Sequence, residues 1–359
     1  MTATATPFAP APAARVTASR LRWPHVAIGV VALLGSALAG ILVGVVDLAP
    51  TAVFRELLGA LPGVDVTSGL STRDQAILWQ IRLPRVVLGG LVGATLASAG
   101  AAYQGVFRNP LADPYLLGAA AGAGLGATLA IAYGRPLLGT AAIPLAAFVG
   151  ALGGVALAYI LGYSAGTGRS TSALILAGVA VASFLTATQT YVMQKESDTL
   201  REVYSWILGQ LGTAGWSDVR RLLPYAVVSG AVILLHRRLL DVLAVGEDEA
   251  GTLGVPAARV RLLVVAAASL GTAAAVSVSG LIGFVGIIVP HTIRLVSGAS
   301  YRVVLPLSMV FGGAFLIGAD LLARVVAAPA ELPIGVITAF FGAPFFALVL
   351  RTSRRTVMT

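Results

Sequence analysis

The stretch from Ile81 to Gly118, IRLPRVVLGGLVGATLASAGAAYQGVFRNPLADPYLLG, decides the fold class. Its first part, 84–106, is a largely apolar run whose only charged residue is Arg85. A helix needs about 20 apolar residues to cross the hydrocarbon core of a bilayer, so this run is long enough. The polar turn Arg108-Asn109-Pro110-Leu111-Ala112-Asp113-Pro114 follows, and a second apolar run opens behind it. Pro110 and Pro114 force extended or turn geometry on the residues before them. Asn109 and Asp113 can bond the freed backbone groups or start the next helix. A crossing, a short turn and a return crossing are the unit of a polytopic helical membrane protein.

Outward from this unit the same alternation fills the chain. Hydrophobic residues make up 57% of it and charged residues 11%, far too little charge for the surface of a soluble domain of this length. The pattern predicts helices over 26–46, 84–106, 113–133, 141–162, 171–193, 220–238, 258–279, 281–297, 303–325 and 333–350. The fold class is therefore an all-α polytopic membrane protein with about ten transmembrane helices in one bundle. The 42 glycines fit such a bundle, because small residues let membrane helices approach closely. Gly118, Gly122 and Gly126, spaced by four, share one helix face.

The organisation divides into three parts. Residues 1–25 read as a cytoplasmic tail, with an Ala/Pro/Thr stretch to Ala14 that lacks periodicity and is expected to be disordered. Residues 26–350 form the membrane domain, and 351–359 a second cytoplasmic tail. Arg15, Arg20 and Arg22 before the first run, and Arg351, Arg354 and Arg355 after the last, place both termini in the cytoplasm. The net charge of +9 is carried almost wholly by arginine, with Lys195 the one lysine. Arginines gathered at helix ends speak for membrane orientation and lipid headgroups and against nucleic acid. The external ends nevertheless hold more arginine than this rule explains, including Arg82, Arg85 and Arg324.

Two segments between crossings are long enough to act. Asp47 to Ile81 is expected outside. Asp241 to Pro256, DVLAVGEDEAGTLGVP, is expected inside. Its cluster Glu247, Asp248 and Glu249 lies among the apolar Leu243, Val245, Leu253 and Val255, with Gly246 and Gly254 as breaks. That pattern suits one or two short amphipathic helices on the membrane surface or against a partner.

Four strings, in order along the chain, resemble one known family: Ile81–Gly118 above; YSWILGQLGTAGWSDV, Tyr204–Val219; SGLIGFVGIIVPHTIRL, Ser279–Leu295; and ADLLARVVAAPAELPIGVITAFFGAPFF, Ala319–Phe346. They are similar to the FecCD-like permease subunits of ABC importers for iron–siderophores, haem and cobalamin, over nearly everything after about residue 25. The resemblance implies a multi-pass protein of the bacterial inner or plasma membrane. It would form the pathway for an iron chelate, with ferric siderophore first and haem or cobalamin next. It implies as partners a second copy of the chain, P-loop ATPase subunits, an external substrate-binding protein and membrane lipid. The chain itself would bind no cofactor or metal and have no catalytic residue, while ATP and magnesium would be used by the separate ATPase.

The resemblance also assigns residues. Arg82, Arg85 and Arg324 would pair with acidic groups of the binding protein, which would account for the external arginine excess; charges at a rim steer docking. Asn109, Pro110 and Asp113 would lie at the cytoplasmic mouth of the pathway. Thr171 and Ser172, which otherwise read as a helix start, would line its gate. Gly246, Glu247, Asp248, Glu249, Leu253 and Gly254 would form the coupling segment in a cleft of the ATPase.

Other functions find little support in the residues. Lys195 lies between Gln194 and Glu196 and forms no Walker A loop. The chain has no cysteine, three histidines and no His-Glu-x-x-His pattern, so thiol or metal chemistry has no visible site. An ion-coupled secondary transporter, the alternative reading, needs several acids deep in the bundle; Asp320 is the clearest one here. Helix-packing bonds are an adequate role for it. His291, which follows Pro290, is expected to bond a carbonyl that the proline releases.

Overall fold

The computed structural model describes residues 20–64, 66–134, 139–164 and 171–357, and among these the regular structure is helical throughout. Fourteen helices organise the description. They are α1 (Trp23–Leu42), α2 (Pro50–Gly59), α3 (Thr72–Phe107), α4 (Ala119–Gly134), α5 (Ala142–Ser164), α6 (Thr171–Lys195) and α7 (Leu200–Ile207), followed by α8 (Trp216–Leu235), α9 (Arg237–Val245), α10 (Glu247–Thr252), α11 (Ala257–Ser279), α12 (Val285–Ser297), α13 (Tyr301–Val325) and α14 (Ile334–Val357). By length and composition six are apolar enough to cross a membrane: α1, α3, α5, α6, α11 and α13. Shorter apolar helices occupy Ala119–Gly134, Val285–Ser297 and Ile334–Val349. Leu34, Ile160, Phe184 and Phe340 are exposed on the outside, which suits hydrocarbon as the solvent. The tail 1–14 and Arg169 and Ser170 lie outside the described residues.

The long helix α3 is the centre of the bundle and packs against α8, α11, α12 and α13. A side chain at Gly100 would run into the backbone of Gly286 on α12, so these two backbones touch directly. The same device joins α4 to α5, where Gly122 and Gly126 face the backbone of Gly150 and Ala146. Gly122 and Gly126 thus do the packing their spacing promised, while Gly118, at φ 81°, stands just before the helix rather than on its face.

Three sequence expectations change. The helix predicted over 84–106 begins at Thr72, so the segment 47–81 contains α2 and the first turns of α3. Ser71 caps α3, its Oγ accepting from the Asp74 amide at 3.2 Å. A π-helical turn, Ile77–Arg82, then lies within α3. The Trp79 carbonyl in this wider turn accepts the Trp216 indole N–H at 2.7 Å. The crossing predicted over 281–297 starts four residues later, at Val285, because α11 ends in a break over 280–284. Thirteen residues of α12 rise about 20 Å, short of a full bilayer core. His291 does not bond a released carbonyl: its Nδ1 has no hydrogen-bond partner, and its ring meets the Phe345 ring at 5.7 Å. Pro290 lacks an N–H and so frees the Gly286 carbonyl four residues back. Gln104 of α3 fills that place, donating from Nε2 at 3.0 Å.

Candidate translocation and coupling site

Three arginines gather at the end of the bundle where α1 and α13 finish and α3 begins. The last carbonyls of any helix lack internal partners, and the last turn of α1 holds no basic residue of its own. Arg82 supplies the missing donors. Its Nη1 donates to the carbonyls of Ile41 at 2.7 Å and Leu42 at 2.8 Å, and its Nη2 donates to Val46. Arg324 of α13 donates from Nη1 to Gly40 and Val43, both at 3.1 Å. Its Nε lies 3.2 Å from Asp320 Oδ2, an ion pair without hydrogen-bond geometry.

Arg85 completes the cluster. Its Nη2 reaches Asp320 Oδ1 at 2.8 Å and Glu331 Oε2 at 2.9 Å, its Nε reaches both oxygens of Asp320, and its Nη1 donates to Glu331 Oε1 at 3.0 Å. Arg82, Arg85 and Arg324 are 4%, 6% and 5% exposed. The expectation that they present free charge on a rim is therefore corrected. In a low-dielectric setting a guanidinium seeks carbonyls and carboxylates, and this fold provides them internally. Only Glu331 remains substantially open. A cavity of about 120 Å³ lies beside it, lined by Arg85, Asp320, Glu331, Ser205 and Gln210.

At the opposite end of α3 the proline-rich turn behaves as read. Arg108 closes α3 in the left-handed region, with φ 48°. Asn109 Oδ1 accepts the Leu111 amide at 2.9 Å, and Asp113 Oδ1 accepts the Tyr115 amide at 2.8 Å, capping the 3₁₀ turn Pro114–Leu117. Pro110 is exposed between them. The turn connects to the break before α12: the Tyr115 hydroxyl donates to the Ile282 carbonyl at 3.0 Å and accepts from its amide at 3.1 Å. Non-helical backbone at membrane depth survives only when its polar groups are paired, and this contact pairs two. Phe284 then starts α12 at φ 69°, a rare conformation for a bulky residue. A methyl group at Gly342 of α14 would overlap the Phe284 ring. Thr171 opens α6, and Ser172 is exposed there.

Asp241–Pro256 forms the end of α9, all of α10 and a closing turn, as the amphipathic pattern predicts. Gly246, at φ 155°, and Gly254, at φ 74°, make the two bends. Leu240, Leu243 and Ala250 face inward, whereas Val245 and Leu253 are 70% and 69% exposed. Glu249 is exposed near them, and Glu247 and Asp248 open α10.

Residues 31–352 match the model of the FecCD transport family. The chain belongs to the FecCD transport family. This FecCD permease is 46% identical over 283 residues to the cobalamin import system permease of Halobacterium salinarum, covering 79% of this chain and 75% of that one. It is 38% identical over 286 residues to the iron(III)-citrate import system permease of Bacillus subtilis, covering 79% and 84%. A solved structure of a metal-chelate type ABC transporter in an inward-facing conformation superposes with a TM-score of 0.79 at 28% identity, over 92% of this chain and all of the other. The protein is thus a multi-pass permease subunit of an ABC importer, and its relatives are permease subunits rather than enzymes.

The permease has its deep acid fully occupied: Asp320 serves Arg85 and Arg324, which leaves an ion-coupled cycle without its clearest carrier. A pairing that sequence reading missed is that of Gln104 with the Gly286 carbonyl. Its signal was Pro290, since every proline inside a helix orphans the carbonyl four residues back.

Proposed function

We propose that two copies of this permease form the passage of an ATP-driven importer for a metal chelate, with cobalamin as the first substrate and a ferric chelate as the second. The observation that carries the importer reading is the α9–Gly246–α10 bend, which presents exposed Val245 and Leu253 beside acidic residues. Apolar groups in such a place suit a cleft on a partner. The partner proposed is a P-loop ATPase that uses ATP and magnesium, on the cytoplasmic side of the cell membrane. Asn109, Pro110, Asp113, Thr171 and Ser172 are assigned to the cytoplasmic mouth and gate. An external binding protein is assigned to the other end. Arg55, Arg73, Arg201 and Arg220 are exposed there, with Arg82, Arg85 and Arg324 ordering the same surface from beneath.

Cobalamin stands first because the relative of that name is 46% identical; the iron(III)-citrate relative, at 38%, supports the second reading. Native mass spectrometry of the gently purified chain tests the assembly. Two copies with two ATPase chains are expected, and a chain that stays free of ATPase in the presence of nucleotide would overturn the reading. Uptake of labelled cobalamin against labelled ferric citrate, in cells lacking their own permeases, decides the substrate.

A further inference from the structure

One chain of polar contacts runs from α9 to the proline-bearing half-helix α12. It begins at Asp241. The residue before α13, Ser300, makes no side-chain cap of its own. Asp241 provides the cap from another helix: Oδ1 accepts the Tyr301 amide at 2.6 Å and Oδ2 accepts the Ser300 hydroxyl at 2.9 Å. Arg302 Nε stands 3.3 Å from the same Oδ2. Separating α9 from α13 would strip the first amide of α13 of its acceptor.

The chain continues through Tyr301. Its hydroxyl accepts from Arg294 Nη2 at 3.0 Å, and the guanidinium carbon lies 5.2 Å from its ring centre. Arg294 Nη1 donates to Gln104 Oε1. Gln104 then donates from Nε2 to the Gly286 carbonyl, the one that Pro290 leaves without a helix partner. One amide side chain thus holds the start of α12 with its nitrogen and the last turn of α12, through Arg294, with its oxygen. The backbone contact of Gly100 with Gly286 leaves no slack between α3 and α12. Immediately upstream stand Phe284, in its left-handed conformation, and its contact with Gly342 of α14.

We propose that Asp241, Tyr301, Arg294 and Gln104 are the positioning residues that carry a displacement of α9–α10 to the Pro290 hinge of α12. This rests on the reading of α9–α10 as the ATPase-facing segment. The physical ground is that helices alone transmit little when one contains a missing hydrogen bond: the hinge moves with whatever holds its free carbonyl. Here that holder is Gln104, and Gln104 is itself held by the residue that reads the position of α13 and α9.

The test uses the full chain with its ATPase subunits in nanodiscs and hydrogen–deuterium exchange with and without ATP plus vanadate. Two conservative variants isolate the link. Tyr301→Phe removes one hydroxyl, and Gln104→Glu keeps an acceptor for Arg294 but removes the donor to Gly286. In the wild-type complex, nucleotide is expected to change exchange both at 237–252 and in α12. In each variant the response at 237–252 persists, while that of α12 falls by roughly tenfold, the factor one ordinary hydrogen bond commands. Unchanged exchange in α4–α5, which the chain does not touch, shows that the variants remain folded. Variants whose α12 responds as in the wild type would overturn the proposal, as would a wild-type α12 that never responds. Absence of any nucleotide effect at 237–252 in the wild type would instead remove the ATPase-facing reading, and the link would fall with it.

Discussion

Arg85 of α3 and Asp320 of α13 are joined by three nitrogen–oxygen contacts of 2.8–3.1 Å across 235 positions of sequence. Both side chains are almost fully enclosed. Removing one partner of such a pair strands the other charge, at a cost of about 3–5 kcal/mol, whereas replacing both by apolar groups of similar volume is far milder. Arg85→Met and Asp320→Leu are each expected to lower the midpoint of thermal unfolding in detergent strongly. The double variant should recover most of the loss. Additive losses would show that the two residues act separately.

Arg82 and Arg324 both donate to the carbonyl end of α1. Arg324 reaches Gly40 and Val43 through Nη1 alone, and the ammonium of a lysine sits one bond shorter on its stem, so Arg324→Lys cannot serve both carbonyls in the same way. The expected loss is about 1–2 kcal/mol for the carbonyls left in poor geometry. Limited proteolysis should read it as faster cleavage between α1 and α2, with the remainder of the bundle resistant.

Glu56 of α2 lies outside the membrane-spanning helices, and hydrogen bonds hold its carboxyl below the ordinary glutamate value, that from Ser68 first, then those from Trp79 and Gln75. The indole N–H of Trp79 donates to Oε1 at 3.0 Å and Gln75 donates to Oε2 at 3.2 Å. A lowered folded-state value means that the contribution is complete above the unfolded value and is lost as pH falls through the folded one. Tryptophan fluorescence should therefore stay constant on acidification through the usual carboxylate range and change only below it. Glu56→Gln should abolish that acid transition. A transition at the ordinary glutamate value in the native protein would contradict the assignment.

Gly100 and Gly153 make a matched pair of tests. A methyl group at Gly100 meets the Gly286 backbone, while one at Gly153 meets nothing within 4 Å. Overpacking of backbone against backbone costs about 1–3 kcal/mol or more. Gly100→Ala should reduce folded yield and thermal stability sharply, and Gly153→Ala should leave both near the native values.

Val245 and Leu253 are exposed on the α9–α10 bend. Val245→Asp and Leu253→Asp remove no internal packing and should leave stability within about 0.5 kcal/mol. Co-purification of the ATPase is expected to fall severalfold. Retention of full ATPase binding in both variants would place the partner elsewhere.

Much of the bundle was legible because membrane helices advertise themselves by length and apolarity. The run 84–106 became the core of α3, and 258–279 matches α11 within a residue. The coupling bend was legible too, since acidic residues, flanking apolar ones and two glycines occupy one short segment. The break over 280–284 was not. Its apolar residues continue the pattern of the helices on either side, and Phe284 adopts a conformation it does not favour by itself, seated on Gly342 and preceded by the Tyr115–Ile282 contacts. The arginine cluster was half legible. Position placed Arg82, Arg85 and Arg324 at the membrane edge, but their acceptors are carbonyls of α1 and carboxylates far along the chain, and local spacing carries no trace of those.

The borrowed caps of α1 also bear on how the chain is made. Synthesis proceeds from the N-terminus, so α1 emerges long before Arg82 and much longer before Arg324. Until then the carbonyls of Gly40 to Val46 must remain near the aqueous edge or be covered by the insertion machinery. The last donors to that end arrive only with the helix that contains Arg324. Truncated chains ending before Arg324 are therefore expected to hold α1 less firmly and to be cleared faster by membrane quality control.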